Sequence, residues 1–171
     1  ILREWSGLTR SWGISDYRHT DLSVFDWEEG RRDTSIAASR ASALSAEGAR
    51  VVCVWSAAKV RAPQIDHCFP WSRWLNNDLW NLMPASAAVN MSKGDKLPSA
   101  IAMSDAHDRI TDWWRRAYVD TPLRERFLLE AGSSLPKLVS GEPALSDLYE
   151  AMLHQRTRLK ADQQLVEWTL R

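Results

Sequence analysis

Two cysteines, Cys53 and Cys68, are all that the 171 residues contain. That is too few for a disulfide framework or a four-thiolate zinc site, so small buried thiols are expected. Neither sign of charge is in excess: 22 Lys and Arg face 22 Asp and Glu. No global basic field therefore advertises a nucleic-acid partner, and any such surface must be local, built by segregating charge on one face. No apolar run approaches the length a bilayer crossing needs, and no charged-then-apolar leader ends in a small-residue cleavage site. The expectation is a soluble, cytoplasmic protein without a membrane partner. An initiator Met is missing too, so a chain opening ILREWSG is expected to be a piece of a longer protein, targeted by upstream domains or a partner subunit.

Tryptophan is what the sequence has in plenty. Ten are spread from Trp5 to Trp168, and most are expected in the core, because large aromatics bury much area wherever they fall. The length suits one compact domain, read as a helical lead-in over 1–48, a central unit over 49–98 and packed helices over 99–171. The fold class expected is α+β, mainly helical with a small strand-bearing unit embedded in it.

Within the lead-in, Val24 to about Ala46 reads as a helix with Ile36, Ala37, Ala41 and Leu44 on one face, ended by Gly48 as a left-handed cap. The β-branched stretch ARVVCVWS (49–56) predicts a strand, and PQIDHCFP (63–70) its hairpin partner. SRWLNNDLWNLMP (72–84) is a loop rich in Asn, Asp and Trp, with LWNLM as a short extended piece, and Asn76, Asn77 and Asp78 serve as turn formers. ASAAVNMSKGD (85–95) predicts a brief helix stopped by Gly94. Met103, Ala106, Ile110, Trp113 or Trp114, and Ala117 form a helical stripe. Thr121-Pro122 is a cap and first-turn signature, and a final helix from Leu145 is expected to run to Trp168. Of the pair Trp113-Trp114, one is expected in the core, with Arg115 and Arg116 solvated; His19, His107 and His154 have no partner spacing and read as ordinary surface histidines.

The residues able to do polar chemistry concentrate between 66 and 96. Asp66 and His67 end a strand, where neighbouring side chains point to opposite faces. Asn81 follows His67 by 14 positions and Asn90 follows Asn81 by 9, with Lys93 one helical turn beyond Asn90. As a kit these parts fit metal-assisted phosphodiester cleavage. A hard divalent cation takes oxygen ligands, which the Asp66 carboxylate and the Asn90 amide oxygen supply. His67, with an unperturbed pKa of ~6.5, can accept a proton from water at neutral pH. Asn81 can fix the imidazole or its loop, while Lys93, Lys96, Lys59 and Arg61 are the candidate phosphate contacts.

In their order and spacing, CVWS, IDHCFPWS, DLWNLMPA and NMSKGDKLP (residues 53–98) resemble an HNH endonuclease domain of the ββα-metal fold. They are also similar to the HNH domain inside RNA-guided CRISPR nucleases. The resemblance implies Asp66 and Asn90 as ligands of one Mg²⁺ or Mn²⁺, His67 as general base and Asn81 as the middle Asn of the motif, an H-N-N variant. Many members carry two C-x-x-C pairs that bind a structural zinc. Here Ser56 stands where the second thiol of the first pair belongs and AAVN has none, so no structural zinc is expected, with Trp55, Trp71, Trp74 and Trp80 packing in its stead. The function implied is a phosphodiester-hydrolysing endonuclease acting on nucleic acid, double-stranded DNA in the first instance, with the effector end of a larger defence-type protein as its expected setting. The competing expectation is a catalytically silent HNH-fold module that binds nucleic acid or a protein partner.

Overall fold

The computed structural model describes residues 30–136, 138 and 143–170. Expectations for residues 1–29, among them His19, lie outside these; of the helix expected from Val24 to about Ala46, residues 30–34 are not helical and the helix begins at Ser35. The chain divides into two units, Ile1–Arg31 and Arg32–Arg171, and every element named here belongs to the second. Within it the class is α+β: helices with two small two-stranded sheets.

Helix α1 (Ser35–Ala46) buries Ala37, Ala41 and Leu44 along one face, small side chains that let the helix lie close to its neighbours. Gly48 closes it in the left-handed region at φ 78°, the conformation that a residue without Cβ adopts without strain. The predicted hairpin between 49–56 and 63–70 does not form. Strand β1 (Gln64–His67) pairs instead, antiparallel, with β2 (Leu82–Ala85), Asp66 opposite Met83 and His67 opposite Leu82. Residues 51–60 form a tight turn closed by a single bridge between Val52 and Lys59, with Ala57 at φ 59° reversing the chain. The reason lies in burial. Val51, Cys53, Val54 and Trp55 are all in the core, so the β-branched run satisfies packing rather than the alternation of a half-buried strand. The Val54 N–H, donating to the Pro84 carbonyl at 3.0 Å, joins this turn to β2.

Helix α2 (Ala87–Lys93) follows β2 at once. Ser86 caps it by accepting from the Val89 N–H, and Gly94 ends it at φ 55°, the stop expected from the sequence. Strand β3 (Leu97–Pro98) leads to α3 (Ala100–Trp114), which continues as a π-helical turn over Arg115–Val119. Both Trp113 and Trp114 are buried, not one; their indole N–H groups donate to the carbonyls of Leu82 (2.8 Å) and Trp80 (3.0 Å). The α3 helix thereby fixes the chain entering β2. Helix α4 (Arg124–Ser134) starts later than the Thr121-Pro122 signature suggests, because the Thr121 hydroxyl closes a turn, accepting from the Leu123 N–H and donating to the Tyr118 carbonyl.

The last helix, α5 (Leu145–Gln163), stops short of the predicted Trp168. Gln164 takes a left-handed conformation, and β4 (Glu167–Trp168) pairs parallel with β3. Side-chain anchoring accounts for the break: Glu167 is held by Arg156 and Lys160, and the Trp168 ring meets Trp55 edge-on at 5.8 Å. No helix among the described residues is long and apolar enough to cross a membrane.

Candidate active site

Strand β1 carries the two neighbouring residues singled out in the sequence, and the structure separates their side chains. Asp66 is 2 % exposed, with one carboxylate oxygen accepting from the Lys93 ammonium at 3.0 Å and the other from the Trp55 indole at 2.9 Å. Lys93 is itself wholly buried and donates a second bond, 2.7 Å, to the His67 carbonyl. This corrects its expected place: the ammonium is inside, paired with Asp66, rather than on an open face toward phosphate. Asn90, one turn earlier on α2, donates to Gln64 Oε1 at 2.8 Å. Gln64 and Asp66 share one face of the strand by its two-residue period, and Asn90 and Lys93 share one face of the helix. The two registers coincide, so α2 lies along the Asp66 face of β1. Burial pushes the Asp66 carboxyl above its ordinary pKa, against the pull of Lys93 and Trp55.

His67 looks elsewhere. Its Nε2 lies 3.0 Å from Asn77 Oδ1, and its Nδ1 accepts from the Arg32 guanidinium Nε at 3.3 Å. Because Arg32 has only donors, Nδ1 is the lone-pair nitrogen and Nε2 carries the hydrogen given to Asn77. The ring is 1 % exposed. Burial, opposed by the Asn77 bond and aided by the charges of Arg32 and Lys93, pulls the imidazole pKa down to about 4. At neutral pH this histidine is an uncharged acceptor of defined tautomer.

Asn81 does not touch the imidazole. It is wholly buried and staples the loop: Oδ1 accepts from the Phe69 N–H at 2.8 Å, while Nδ2 donates to the carbonyls of Phe69 (3.3 Å) and Asn76 (3.2 Å). Its backbone carbonyl also receives the Cys68 N–H at 2.7 Å. Asn76 and Asp78 brace each other, and Glu130 of α4 accepts from the Leu79 N–H, so the segment presenting Asn77 is fastened at both ends. Phe69, Trp74 and Trp80 pack against one another beneath it, with ring centroids 5.6–6.2 Å apart. Lys59, Arg61 and Lys96 are exposed, and none of them hydrogen-bonds to Asp66, His67, Asn81 or Asn90.

Sequence reasoning missed two residues that contact the imidazole. Asn77 sits in an Asn-Asn-Asp run whose composition reads as turn, and Arg32 lies 35 positions upstream of His67 with no local pattern to mark it. Only the position of Asn77 inside the His67–Asn81 interval could have drawn notice.

Residues 56–99 match the HNH endonuclease family model. This segment is HNH. No curated protein and no solved structure matches the chain. The match supports a nuclease-type function for this segment at the level of the family, and nucleic-acid binding with it. HNH nucleases generally use a divalent metal, and the donors here can be tested against one. Asp66 and Asn90 offer only oxygen, the chemistry a hard cation takes. Asn90 Oδ1 receives no hydrogen bond among the described residues, and a carboxylate has lone pairs beyond the two in use. Oxygen donors of this kind are the chemistry of a hard divalent ion, and in this arrangement the Asp66 carboxylate is held by Lys93 and Trp55. Among the described residues no group of three or more His, Cys, Asp or Glu is placed to hold a metal ion.

Proposed function

We propose that the protein is a metal-dependent endonuclease that hydrolyses phosphodiester bonds of nucleic acid, DNA in the first instance, with His67 as general base. One observation carries the reading. Within the HNH segment a buried, neutral imidazole is held in a single tautomer, with Nε2–H committed to Asn77 and Nδ1 left as the proton acceptor. A neutral base of fixed orientation is what deprotonation of an attacking water requires. In the proposed step the water proton passes to Nδ1, the water oxygen bonds to phosphorus and the P–O3′ bond breaks. The 3′ oxygen recovers a proton from solvent, giving 5′-phosphate and 3′-hydroxyl ends.

Asp66 and Asn90 are the residues proposed to hold a Mg²⁺ or Mn²⁺ ion. When bound, such an ion supplies charge neutralisation at the phosphate and leaving oxygen. Asn77 is a positioning residue for the imidazole, and Asn81 for the loop that carries Asn77 and receives Phe69. Lys59, Arg61 and Lys96 are exposed cations available to the nucleic-acid backbone. Their contribution is affinity rather than sequence choice, since phosphate contacts position and base contacts specify.

The test is incubation with supercoiled plasmid and Mg²⁺ or Mn²⁺, with and without chelator. Chelator-sensitive nicking or linearisation by the wild type, abolished in His67→Ala with DNA binding retained, is expected. Plasmid binding without metal-dependent cleavage would instead establish the silent module.

A further inference from the structure

Arg32 stands where the proposed base must work. Its Nε donates to His67 Nδ1, the one nitrogen able to take a proton, so in the ligand-free arrangement that lone pair is covered. The bond is weak by geometry. At 3.3 Å, to a neutral ring, it lies beyond the ordinary range of N–H donors. Arg32 is exposed, and among the described residues its two terminal amino groups make no hydrogen bond. A guanidinium so placed has most of its fork uncommitted.

The backbone that carries Arg32 is nevertheless registered to the site. The Asp33 N–H donates to Asn77 Oδ1 at 3.2 Å, the same oxygen that holds His67 Nε2, and the Asp33 carboxylate accepts from the Ser35 N–H at 2.8 Å to tie the segment to the start of α1. One amide oxygen thus fixes the imidazole and the chain bearing the guanidinium together. The arginine is brought to the base by the same device that orients the base.

We propose that Arg32 is a phosphate-binding residue of this site that covers His67 Nδ1 until a backbone phosphate of nucleic acid draws its guanidinium away. The proposal rests on the reading of His67 given above. A phosphodiester anion offers the fork two bonds in which both partners are charged, in place of one long bond to a neutral ring. The exchange uncovers the Nδ1 lone pair when, and where, a phosphate is bound. A lysine at this position would keep the charge but lose the planar fork.

The experiment measures binding of a short fluorescent DNA duplex by anisotropy, in chelator and across a range of salt, for wild type, Arg32→Gln and Arg32→Lys, alongside plasmid cleavage with Mg²⁺. Expected for Arg32→Gln is a roughly tenfold or larger loss of affinity, as for one contact to a charged group. Its slope of log Kobs against log salt should be shallower by about 0.9, and KM should rise more than kcat falls. Arg32→Lys should recover the slope but not the full affinity. Affinity and salt slope unchanged in Arg32→Gln overturn the proposal, and if the wild type still cuts plasmid the nuclease reading stands without it. A wild type that binds but never cuts, with the slope lost in Arg32→Gln, leaves Arg32 as the phosphate contact and overturns catalysis. A wild type that does not bind DNA overturns both.

Discussion

Replacing Lys93 by Met tests the centre of the site by a stability measurement alone. The substitution keeps the length of the side chain and removes the charge that answers Asp66, a carboxylate 2 % exposed. Removing one partner of a buried pair ordinarily costs about 3–5 kcal/mol, because the other charge is left without compensation. Asp66 has a way to limit that cost. Burial already pushes its pKa up, and without Lys93 it can take a proton and become neutral. With an unfolded pKa of ~3.9, protonation at pH 7 costs about 4 kcal/mol, and at pH 5 about 1.5 kcal/mol.

The pH dependence follows with its sign. In Lys93→Met the folded state holds a proton on Asp66 that the unfolded state has released, so the variant's stability falls as pH rises above ~4, by about 1.4 kcal/mol per unit. Wild type shares the sign, since burial raises its Asp66 pKa too, but Lys93 and Trp55 hold that rise down, so its decline ends at lower pH than the variant's. The assay is urea denaturation of both proteins at pH 5, 6 and 7, followed by tryptophan fluorescence. The expected difference is at most about 4 kcal/mol at pH 7, narrowing toward pH 5. Lys93 makes the smallest of the contributions that lower the His67 pKa, so its removal relaxes that shift a little and narrows the difference further toward pH 5 without changing its sign. A difference under about 1 kcal/mol at pH 7, or one that does not change with pH, would show that Asp66 and Lys93 are not a buried ion pair and would remove the physical basis for their place in the site.

Asn81→Ala strands the buried Phe69 N–H and should cost about 2–3 kcal/mol while raising amide exchange across residues 69–78; a loss under about 0.5 kcal/mol would refute the stapling role. For His67, whose folded pKa of about 4 lies below the unfolded ~6.5, stability is complete above ~6.5 and is lost as pH falls toward 4, by at most about 3 kcal/mol. Nitrogen NMR should find the ring neutral at pH 5.5, with hydrogen on Nε2; a charged ring at pH 6 would contradict the burial argument. In Asn77→Ala the same spectrum should show mixed tautomers and plasmid cleavage should drop by tenfold or more, whereas one unchanged tautomer would mean that Asn77 does not orient the ring.

Much of the site was legible because its chemistry is spaced along the chain. The interval from His67 to Asn81, Asn90 and Lys93 identified a strand, a loop and a helix in that order, and Gly94 marked the end of the helix through a local backbone preference. What failed depended on contacts between distant segments. The β-branched run at 51–54 is buried under other elements instead of pairing as a strand, and the true partner of β1 is LMPA, whose proline argues against a strand when read alone. The end of the final helix at Gln163 is set by Arg156 and Lys160 reaching Glu167. Lys93 was expected outside because lysine is almost never fully buried unless paired, and the pairing with Asp66 is visible only once α2 is laid along β1. Arg32 and Asn77 had no spacing to announce them.

The alternation of β1 gives the candidate site two sides, and each is answered by one of the protein's own cations. Asp66, on the face toward α2, is paired with Lys93; His67, on the other, receives Arg32. The two cations differ in what moving them would cost. Lys93 is wholly buried, holds a carboxylate and a carbonyl, and stays with the fold; Arg32 is exposed and held by one long bond, so it can leave at little cost. A phosphate that is to meet both sides must therefore approach where the strand ends. His67 is the last residue of β1, and beyond it the chain turns into the loop stapled by Asn81. Placing the two polar residues at the terminus of a short strand, rather than within a longer one, allows groups that point apart to serve a single ligand.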